Sequence, residues 1–346
     1  MPFIDFTSIV KEAWQDYDKT REIERIVDIS AKVSTNYVYR ITFTDGNFII
    51  AKLSYFGKYE HFVEDHSIID TLSNNLPAPF ENFLARSLAK GKFLYVYRFQ
   101  NQILDAWVVF YRPIAIKKRL PKRLDDEQIV KLGEQVAHFH KACFSTRNTL
   151  PPSSKTLKTD IDHLLRILET DYGRYEHRMH IDEIKQHTDL FVENSSKLKA
   201  DEFVKLPVFV DWNIGNFSVS SSGKLYSRWD YDWFRMGSRI LDFYFLSRVV
   251  SDIGDRTVFS YVIGPLMEER FILFLKSYHK VYPLIAEEIM FLKEAYRFFI
   301  LNYVIKDGRF FFHEIFATKL QKEAYDTYLP SIESFNADKI LRALNI

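Results

Sequence analysis

The sequence is poor in the features that would assign it to several common classes of protein. Only one of its 346 residues is cysteine, Cys143, so the chain has no intrachain disulfide and no zinc site built from several cysteines. So little cysteine suits a reducing compartment. We therefore expect the protein to work in the cytoplasm.

An excess of one charge and long apolar runs are also missing. The 47 Lys and Arg residues nearly equal the 46 Asp and Glu residues, which leaves a formal net charge of +1 and no general attraction for nucleic acid or an anionic membrane. The one basic cluster, KKRLPKR at 117–123, is expected to be a solvated loop. No uncharged apolar run reaches the ~18 residues that a membrane helix needs, and the first residues lack the basic-then-apolar pattern of a signal peptide. We expect neither a nucleic-acid partner nor a membrane partner.

Apolar and aromatic residues, by contrast, are plentiful. Apolar types make up 47% of the chain and include 31 Phe and 20 Tyr, which is ample material for large aromatic cores. A chain of this length exceeds one ordinary core and predicts two domains or one two-lobed unit.

The first hundred residues read as a small, mostly antiparallel sheet with one main helix. A short helix is predicted within residues 1–22. The runs YVYRITF and FIIAKL then flank Asp45-Gly46, and Asp-Gly between alternating apolar residues indicates a β-hairpin. A helix follows at 58–75, and two more strand-like runs lie near 83–88 and 93–99.

Helices dominate the rest of the chain. They are predicted at 158–176, at 180–198 and from residue 240 onward, and short strands around a loop interrupt them at 206–229. The predicted fold class is therefore α+β and two-lobed. Residues 1–99 form a small N-terminal lobe, and residues 100–346 form a larger, mostly helical C-terminal lobe.

Three polar side chains fall in or just after the interrupting segment. The stretch FVDWNIGNF places Asn216 five residues after Asp211, and Asp230 follows Asp211 by nineteen residues, at the end of the next strand-like run. Asp and Asn are common in turns because their side chains bond nearby backbone, so the Asp211–Asn216 pair alone is a weak signal. A hairpin whose strands carry these groups would point all three into one cleft. Phosphoryl transfer from ATP needs such a set: Asp211 would orient the attacking hydroxyl, and Asn216 and Asp230 are oxygen ligands suited to Mg²⁺.

A lysine from the sheet would complete this site. Lys52, at the end of FIIAKL, is the natural residue to steady the phosphates. Its carboxylate partner would come from the helix at 58–75, where Glu60 and Glu64 both qualify. We prefer Glu64, which sits deeper in the helix.

The order of these residues resembles the aminoglycoside phosphotransferase and choline kinase superfamily, the protein-kinase-like kinases of small molecules. That family has an Asp and an Asn five residues apart, then an Asp-Trp-Glu-like segment, a Gly, and an Asp five residues after the Gly. The stretches DWNIGNF and WDYDWFRMGSRILDF supply these residues in order: Asp211, Asn216, Asp230, Asp232, Gly237 and Asp242. The resemblance covers roughly residues 20–310. It implies a protein-kinase-like fold, ATP and Mg²⁺ as cofactors, and a small-molecule substrate with a hydroxyl acceptor.

The resemblance also implies a role for each matched residue. Asp211 would be the catalytic base, and Asn216 and Asp230 would bind Mg²⁺. Lys52 would contact the α- and β-phosphates, with Glu64 as its partner. Asp242 would brace the catalytic loop. Ser34, Thr35 and Asn36 stand where the phosphate-covering turn lies, and the adenine is expected at the lobe junction near residues 97–100.

Two of the departures from the family pattern concern the catalytic loop and the covering turn. Phe209 stands two residues before the catalytic Asp, where the family usually has a His that scaffolds the loop. Phe209 would pack in its place and leave the loop one side-chain hydrogen bond short. The covering turn has no glycine pair. These departures motivate a second hypothesis, a pseudokinase that binds nucleotide or a partner, and a third is a helical interaction protein whose acids are turn residues.

Some residues near the cleft keep two interpretations. Trp212, Trp229 and Trp233 are either core residues, which we favour, or a box for a cationic ammonium group, since aromatic faces attract cations. Asp232 is either a third acid of the cleft or a solvent-facing residue. The sequence indicates neither the substrate nor the oligomeric state.

Overall fold

The computed structural model describes residues 5–31, 34–253 and 260–346. Its N-terminal part is a five-stranded antiparallel sheet in the order β1-β2-β3-β7-β6. The strands are β1 (Ile23–Asp28), β2 (Tyr37–Phe43), β3 (Phe48–Ser54), β6 (Val96–Gln100) and β7 (Asp105–Tyr111), and a separate pair consists of β4 (Ala89–Lys90) and β5 (Phe93–Leu94). The turn between β2 and β3 uses Gly46 at φ +79°, a left-handed backbone that glycine adopts at little cost, so the predicted hairpin is confirmed.

The predicted boundary between the lobes at residue 99 is wrong, because it falls inside this sheet. Strand β7 lies between β3 and β6, and six of its seven residues are buried. Its sequence, DAWVVFY, is a continuous apolar run because a central strand is covered on both faces. The chain leaves the sheet after Tyr111 and crosses to the helical lobe over residues 112–125. Residues 97–100 therefore belong to an edge strand rather than to the lobe junction.

Two helices pack against the sheet in different ways. Helix α1 (Phe6–Tyr17) buries Val10, Ala13 and Trp14 in a small core that it shares with the sheet. Helix α2 (Tyr59–Asn75) matches the predicted helix, and its Ile68, Ile69 and Leu72 join the large core of the C-terminal lobe. Helix α2 therefore ties the two lobes together.

The C-terminal lobe is mostly helical, as predicted. Its helices are α3 (Asp126–Thr146), α4 (Leu157–Glu169), α5 (Asp171–Glu176), α6 (Ile181–Lys197), α7 (Phe243–Val250), α8 (Glu269–Val281), α9 (Ala286–Met290), α10 (Leu292–Phe299), α11 (Gly308–Phe311), α12 (Glu314–Glu323), α13 (Leu329–Ser331) and α14 (Asp338–Leu344). The side chain and main chain of Asp125 cap α3 in a capping box with Gln128. Within the described ranges, no helix combines the length and apolar character that crossing a membrane requires.

Two nested pairs of short strands interrupt the helices: three of the strands lie in the predicted segment around 206–229, and the fourth lies beyond it. The outer pair is β8 (Lys205–Val208) with β11 (Arg235–Ser238), and the inner pair is β9 (Phe217–Val219) with β10 (Leu225–Arg228). The nesting holds the two connecting segments, 209–216 and 229–234, at the same end of the strands. These segments carry the residues that the sequence analysis singled out.

Candidate functional site

The nested strands bring Asp211, Asn216 and Asp230 together. Asn216 Nδ2 donates to Asp211 Oδ2 at 2.9 Å. In the inner ladder Phe217 pairs with Arg228, and Trp229 N donates to Asn216 O at 3.0 Å. Trp229 therefore lies opposite Asn216, and Asp230 is the residue after Trp229. The structure thus places the three residues at the same end of the nested strands.

The backbone on both sides of the cleft has unusual conformations at these acids. Val210, just before Asp211, has φ +58°, and Asp230 has φ +67°. A positive φ is a genuine outlier for a β-branched residue, and such residues concentrate at functional sites. The turn is tight, because Asp211 N donates to Phe209 O at 2.6 Å.

Asp242, the acid expected to brace the loop, contacts this strained turn. One of its carboxylate oxygens accepts from the N–H groups of Phe209 at 2.9 Å and Val210 at 2.7 Å. The other oxygen lies 2.9 Å from His140 Nε2, and the opposite ring nitrogen of His140 lies 2.8 Å from Tyr278 Oη. Asp242 and His140 are both 0% exposed. Hydrogen bonds to a buried carboxylate are strong, so this chain of contacts fixes the turn to α3 and α8.

Lys52 reaches across the cleft to the other acids. Its Nζ lies 3.0 Å from Asp230 Oδ1 and also contacts Asp232. Burial alone would lower the pKa of Lys52, but the charges of Asp230 and Asp232 raise it above its ordinary value, so Lys52 is an ammonium ion. In turn, burial opposes ionisation of Asp230, while the charge of Lys52 lowers the pKa of Asp230 below its ordinary value. Asp232 is thus an acid of the cleft, and burial raises its pKa to about 6.

The predicted pairing of Lys52 with Glu64 is wrong for this structure. Among the described residues, the carboxylates that contact Lys52 are those of Asp230 and Asp232. Glu64 instead accepts from Ser153 Oγ at 2.8 Å and from Ser154 N at 2.7 Å, both in the segment before α4. The apolar face of α2 joins the large core, and this rotation points Glu64 at the C-terminal lobe. Its neighbour Asp65 also faces that lobe and pairs with Lys155.

The turn predicted to cover the phosphates lies against the C-terminal lobe. Ser34 forms an antiparallel bridge with Phe312, and Thr35 N donates to Phe311 O at 3.2 Å. Asn36 is 4% exposed and donates to Asp232, so it extends the contacts of Lys52. The upstream part of the same turn, residues 32–33, lies outside the described residues. Ser34, Thr35 and Asn36 therefore line the cleft, and each of them contacts a residue of the C-terminal lobe.

The tryptophans are separate residues rather than a box. Trp212 and Trp233 are buried in the large core, where Trp212 packs edge-on against Phe217. Trp229 is half-buried, with the Arg119 guanidinium 6.0 Å from its ring. Arg119 belongs to the exposed basic cluster, which is a loop as predicted. The favoured interpretation, core packing, holds for Trp212 and Trp233.

Sequence reasoning missed two residues of this site. His140 stands on the helical face of LGEQVAHFHKA that turns inward, and its apolar neighbours were the only available signal. Arg228 ends strand β10 and donates from Nη2 to Asp211 O at 2.7 Å. An arginine at the end of a short strand is ordinarily interpreted as a solvent-facing residue, so this contact could not be predicted from the sequence.

Solved structures of small-molecule kinases are similar to this chain. One is the amicoumacin kinase hAmiN in complex with AMP-PNP, Ca²⁺ and Ami, with a TM-score of 0.63 at 14% identity over 97% of each chain. A second is a microcompartment-associated aminopropanol kinase, with a TM-score of 0.63 at 17% identity over 97% of this chain and 99% of that one. A third is the gentamicin complex of APH(2")-IIa, with a TM-score of 0.57 at 14% identity over 96% and 99%.

No protein-family model and no curated protein matches the sequence. At such low identities the structural likeness speaks for the fold, and it extends over nearly the whole of each chain. With its five-stranded sheet and a helical second lobe that contains the nested strands, the chain has the two-lobed fold of these solved kinase structures, as its sequence predicted.

Proposed function

We propose that this protein is an ATP- and Mg²⁺-dependent phosphotransferase that acts on a hydroxyl group of a small molecule. The observation that carries the proposal is the convergence, in one cleft, of Lys52 from the sheet with Asp230, Asp211 and Asn216 from the nested strands. Each of these residue types is one that phosphoryl transfer uses. The names of the similar structures, an amicoumacin kinase and an aminopropanol kinase, support the same reaction class.

Asp211 would accept a hydrogen bond from the substrate hydroxyl and orient its oxygen toward the γ-phosphate. Its carboxylate is held in place, because Asn216 Nδ2 and Asn213 N both donate to it. A positioned base of this kind contributes about 10²–10⁴-fold to a rate. The substrate would lie against the helical lobe, on the side of the cleft where Asp211 is half-buried.

Asn216 and Asp230 would hold Mg²⁺, whose charge would neutralise the phosphates. The residues fit this ion, because the Asn216 amide nitrogen is bonded to Asp211 and leaves the amide oxygen as the ligating atom. The lowered pKa of Asp230 keeps its carboxylate ionised. Among the described residues there is no group of three or more His, Cys, Asp or Glu side chains that would hold a metal by itself. An ion that takes one or two protein ligands and completes its shell with phosphate and water is the usual way in which Mg²⁺ binds with a nucleotide.

Lys52 would exchange its contacts with Asp230 and Asp232 for phosphate oxygens when the nucleotide binds. Its raised pKa keeps the ammonium charged, so it suits either set of anions. Ser34, Thr35 and Asn36 would cover the phosphates from the sheet side.

The first experiment measures ADP release from Mg²⁺-ATP with a panel of amino alcohols, sugars, aminosugars, nucleosides and aminoglycosides. We expect release that depends on one class of compound. Asp211→Asn is expected to lower kcat by at least ~10²-fold while nucleotide affinity changes little. The matched control is Asp189→Asn, which changes an exposed acid of α6 and should leave kcat unchanged.

Two results would oppose the proposal. Full activity in Asp211→Asn would show that another group is the base. Nucleotide binding that is weak or independent of Mg²⁺, together with no ADP release across the panel, would favour the pseudokinase hypothesis.

A further inference from the structure

The loop that carries Asp211 has a partner that the family resemblance does not supply. Arg228 is fully buried, at 0% exposure, and its Nη2 donates to the main-chain oxygen of Asp211 at 2.7 Å. Its guanidinium lies between two rings, with Cζ 4.6 Å from the centroid of Phe209 and 4.4 Å from that of Trp212. Both rings come from the same loop, one on each side of Asp211.

Arg228 is an unusual buried arginine. Burial lowers its pKa, although the nearby charges of Asp242 and Asp211 oppose that effect. Its Nε and Nη1 have no hydrogen-bond acceptor among the described residues. Arg297, also 0% exposed, shows the ordinary solution, with Nε 2.8 Å from Glu294 and Nη2 3.1 Å from Glu333. Burying a charge without a carboxylate partner is unfavourable, and cation–π contacts with the two rings offset only part of that.

Among the described residues, the hydrogen bond of this guanidinium falls on Asp211, in the most strained part of the loop. Val210 holds φ +58° there, and the Asp242 carboxylate fixes only the N–H groups on the N-terminal side of Asp211. Arg228 fixes the carbonyl on the C-terminal side. The loop is thus held from both sides of the candidate base.

Phe209 explains why the contact is possible. The family usually has a His at this position as the scaffold of the loop, and its replacement removes one side-chain hydrogen bond. A phenyl ring offers the guanidinium an apolar, electron-rich face, and this face completes the sandwich with Trp212. We propose that Arg228 is a positioning residue that takes over the scaffold role of the absent His. Phe209 and Trp212 hold its guanidinium, and Arg228 holds Asp211 in the geometry that the acceptor hydroxyl needs. This inference rests on the proposed phosphotransferase function.

The test compares Arg228→Lys and Arg228→Met with Arg297→Lys, a matched change at the other fully buried arginine. A misplaced base costs up to ~10²-fold in rate, so we expect Arg228→Met to lower kcat by this order and Arg228→Lys by less. The KM for ATP should stay within about threefold of the wild-type value, because Lys52, Asp230 and Asn216 are unchanged. Arg297→Lys should leave both constants unchanged. The double variant Phe209→His/Arg228→Met restores the family residue and should recover part of the lost kcat.

Hydrogen exchange of the amides of 209–216 supplies a readout that does not need turnover. Faster exchange there in Arg228→Lys, with no change in α10, supports the positioning role. If the wild type then shows no ADP release with any compound, the proposed function fails while the role of Arg228 in holding the loop stands. Unchanged kcat per folded molecule in both Arg228 variants would overturn the inference, as would a loss of thermal stability without a loss of kcat. Unchanged exchange at 209–216 would overturn it as well.

Discussion

The two sides of the cleft are held in opposite ways. On the C-terminal side, the polar groups bond within their own lobe: Asn216 to Asp211, Arg228 to Asp211, and Asp242 to His140. On the N-terminal side, the groups expected to handle the nucleotide bond across the cleft. Lys52 and Asn36 contact Asp232, Thr35 contacts Phe311, and Glu64 contacts the 153–154 segment.

This difference implies that the C-terminal side is already arranged for chemistry, whereas the N-terminal side must rearrange when a nucleotide binds. The contacts that Asn213, Asn216 and Arg228 make with Asp211 come from its own lobe. Lys52, by contrast, is paired with the Asp230 carboxylate, so a nucleotide with its metal must displace Lys52 from Asp230. We therefore expect ligand binding to change the contacts on the N-terminal side and to leave the loop at 209–217 nearly as it is. Opening the cleft would exchange a few partly exposed contacts for contacts with water or ligand. Changing the loop would break buried contacts, which costs more free energy.

The largest effect is expected where the internal contacts of the C-terminal side are removed. Asp242→Ala leaves the N–H groups of Phe209 and Val210 and the ring of His140 without their buried acceptor. We expect the free energy of unfolding to fall by about 3–5 kcal/mol, the range for breaking a buried polar pair. Urea unfolding measures it. The comparison is Asp232→Ala, which removes the cross-cleft contacts of a half-buried side chain with Lys52 and Asn36 and should change stability by about 1 kcal/mol or less. Equal losses in the two variants would contradict the difference between the two sides.

A second, pH-dependent effect tests how α2 is anchored within the fold. His66 is 3% exposed, its Nδ1 lies 2.9 Å from Phe62 O, and its Nε2 lies 2.6 Å from Tyr111 Oη. Burial lowers the pKa of His66 to about 3, whereas an unfolded histidine titrates near 6.5. Between these values the unfolded chain takes up a proton that folded His66 does not, so its contribution to stability is present above pH ~6.5 and is lost as the pH falls.

We expect this one group to account for about 1.4 kcal/mol of lost stability per pH unit between pH 6 and pH 5. His66→Gln should flatten the pH dependence of the unfolding free energy by that slope. His313→Gln, which changes an exposed histidine, should leave the slope of the wild type in place. A slope that is the same in His66→Gln and the wild type would show that α2 opens enough to hydrate His66.

The features that could be predicted from the sequence are local ones, and those that could not depend on contacts between residues far apart in the chain. The hairpin at Asp45-Gly46 and helix α2 were predictable, because a tight turn and a local apolar pattern decide them. The placing of Asp211, Asn216 and Asp230 at one end of short strands was predictable from the strand-like runs that flank them within one short segment. The central position of β7 was not, because a continuous apolar run does not say which strands it pairs with.

Two of the contacts that were predicted wrongly or missed, those of Glu64 and Arg228, depend on long-range packing. The partner of Glu64 is set by the rotation of α2, and successive residues of a helix point about 100° apart. Its burial of Ile68 and Ile69 in the large core fixes that rotation, and the sequence of α2 alone does not reveal it. The burial of Arg228 depends on Phe209 and Trp212, which reach it from the connecting segment 209–216.

The smallest effect is expected for Glu64→Gln. In this structure Glu64 bonds Ser153 and Ser154 rather than Lys52, and it accepts both hydrogen bonds through one oxygen, which a glutamine carbonyl can replace. We therefore expect kcat and the KM for ATP to stay within about threefold of the wild-type values. Lys52→Met is the matched change, since Lys52 was the expected partner of Glu64. It should reduce kcat/KM for ATP strongly because it removes a phosphate contact. If Glu64→Gln is as damaging as Lys52→Met, then α2 must turn in the nucleotide complex so that Glu64 replaces the acids that Lys52 gives up. In that case the anchoring of α2 in the large core would belong only to the enzyme without nucleotide. The contacts of Glu64 with Ser153 and Ser154 would be those that ATP binding breaks.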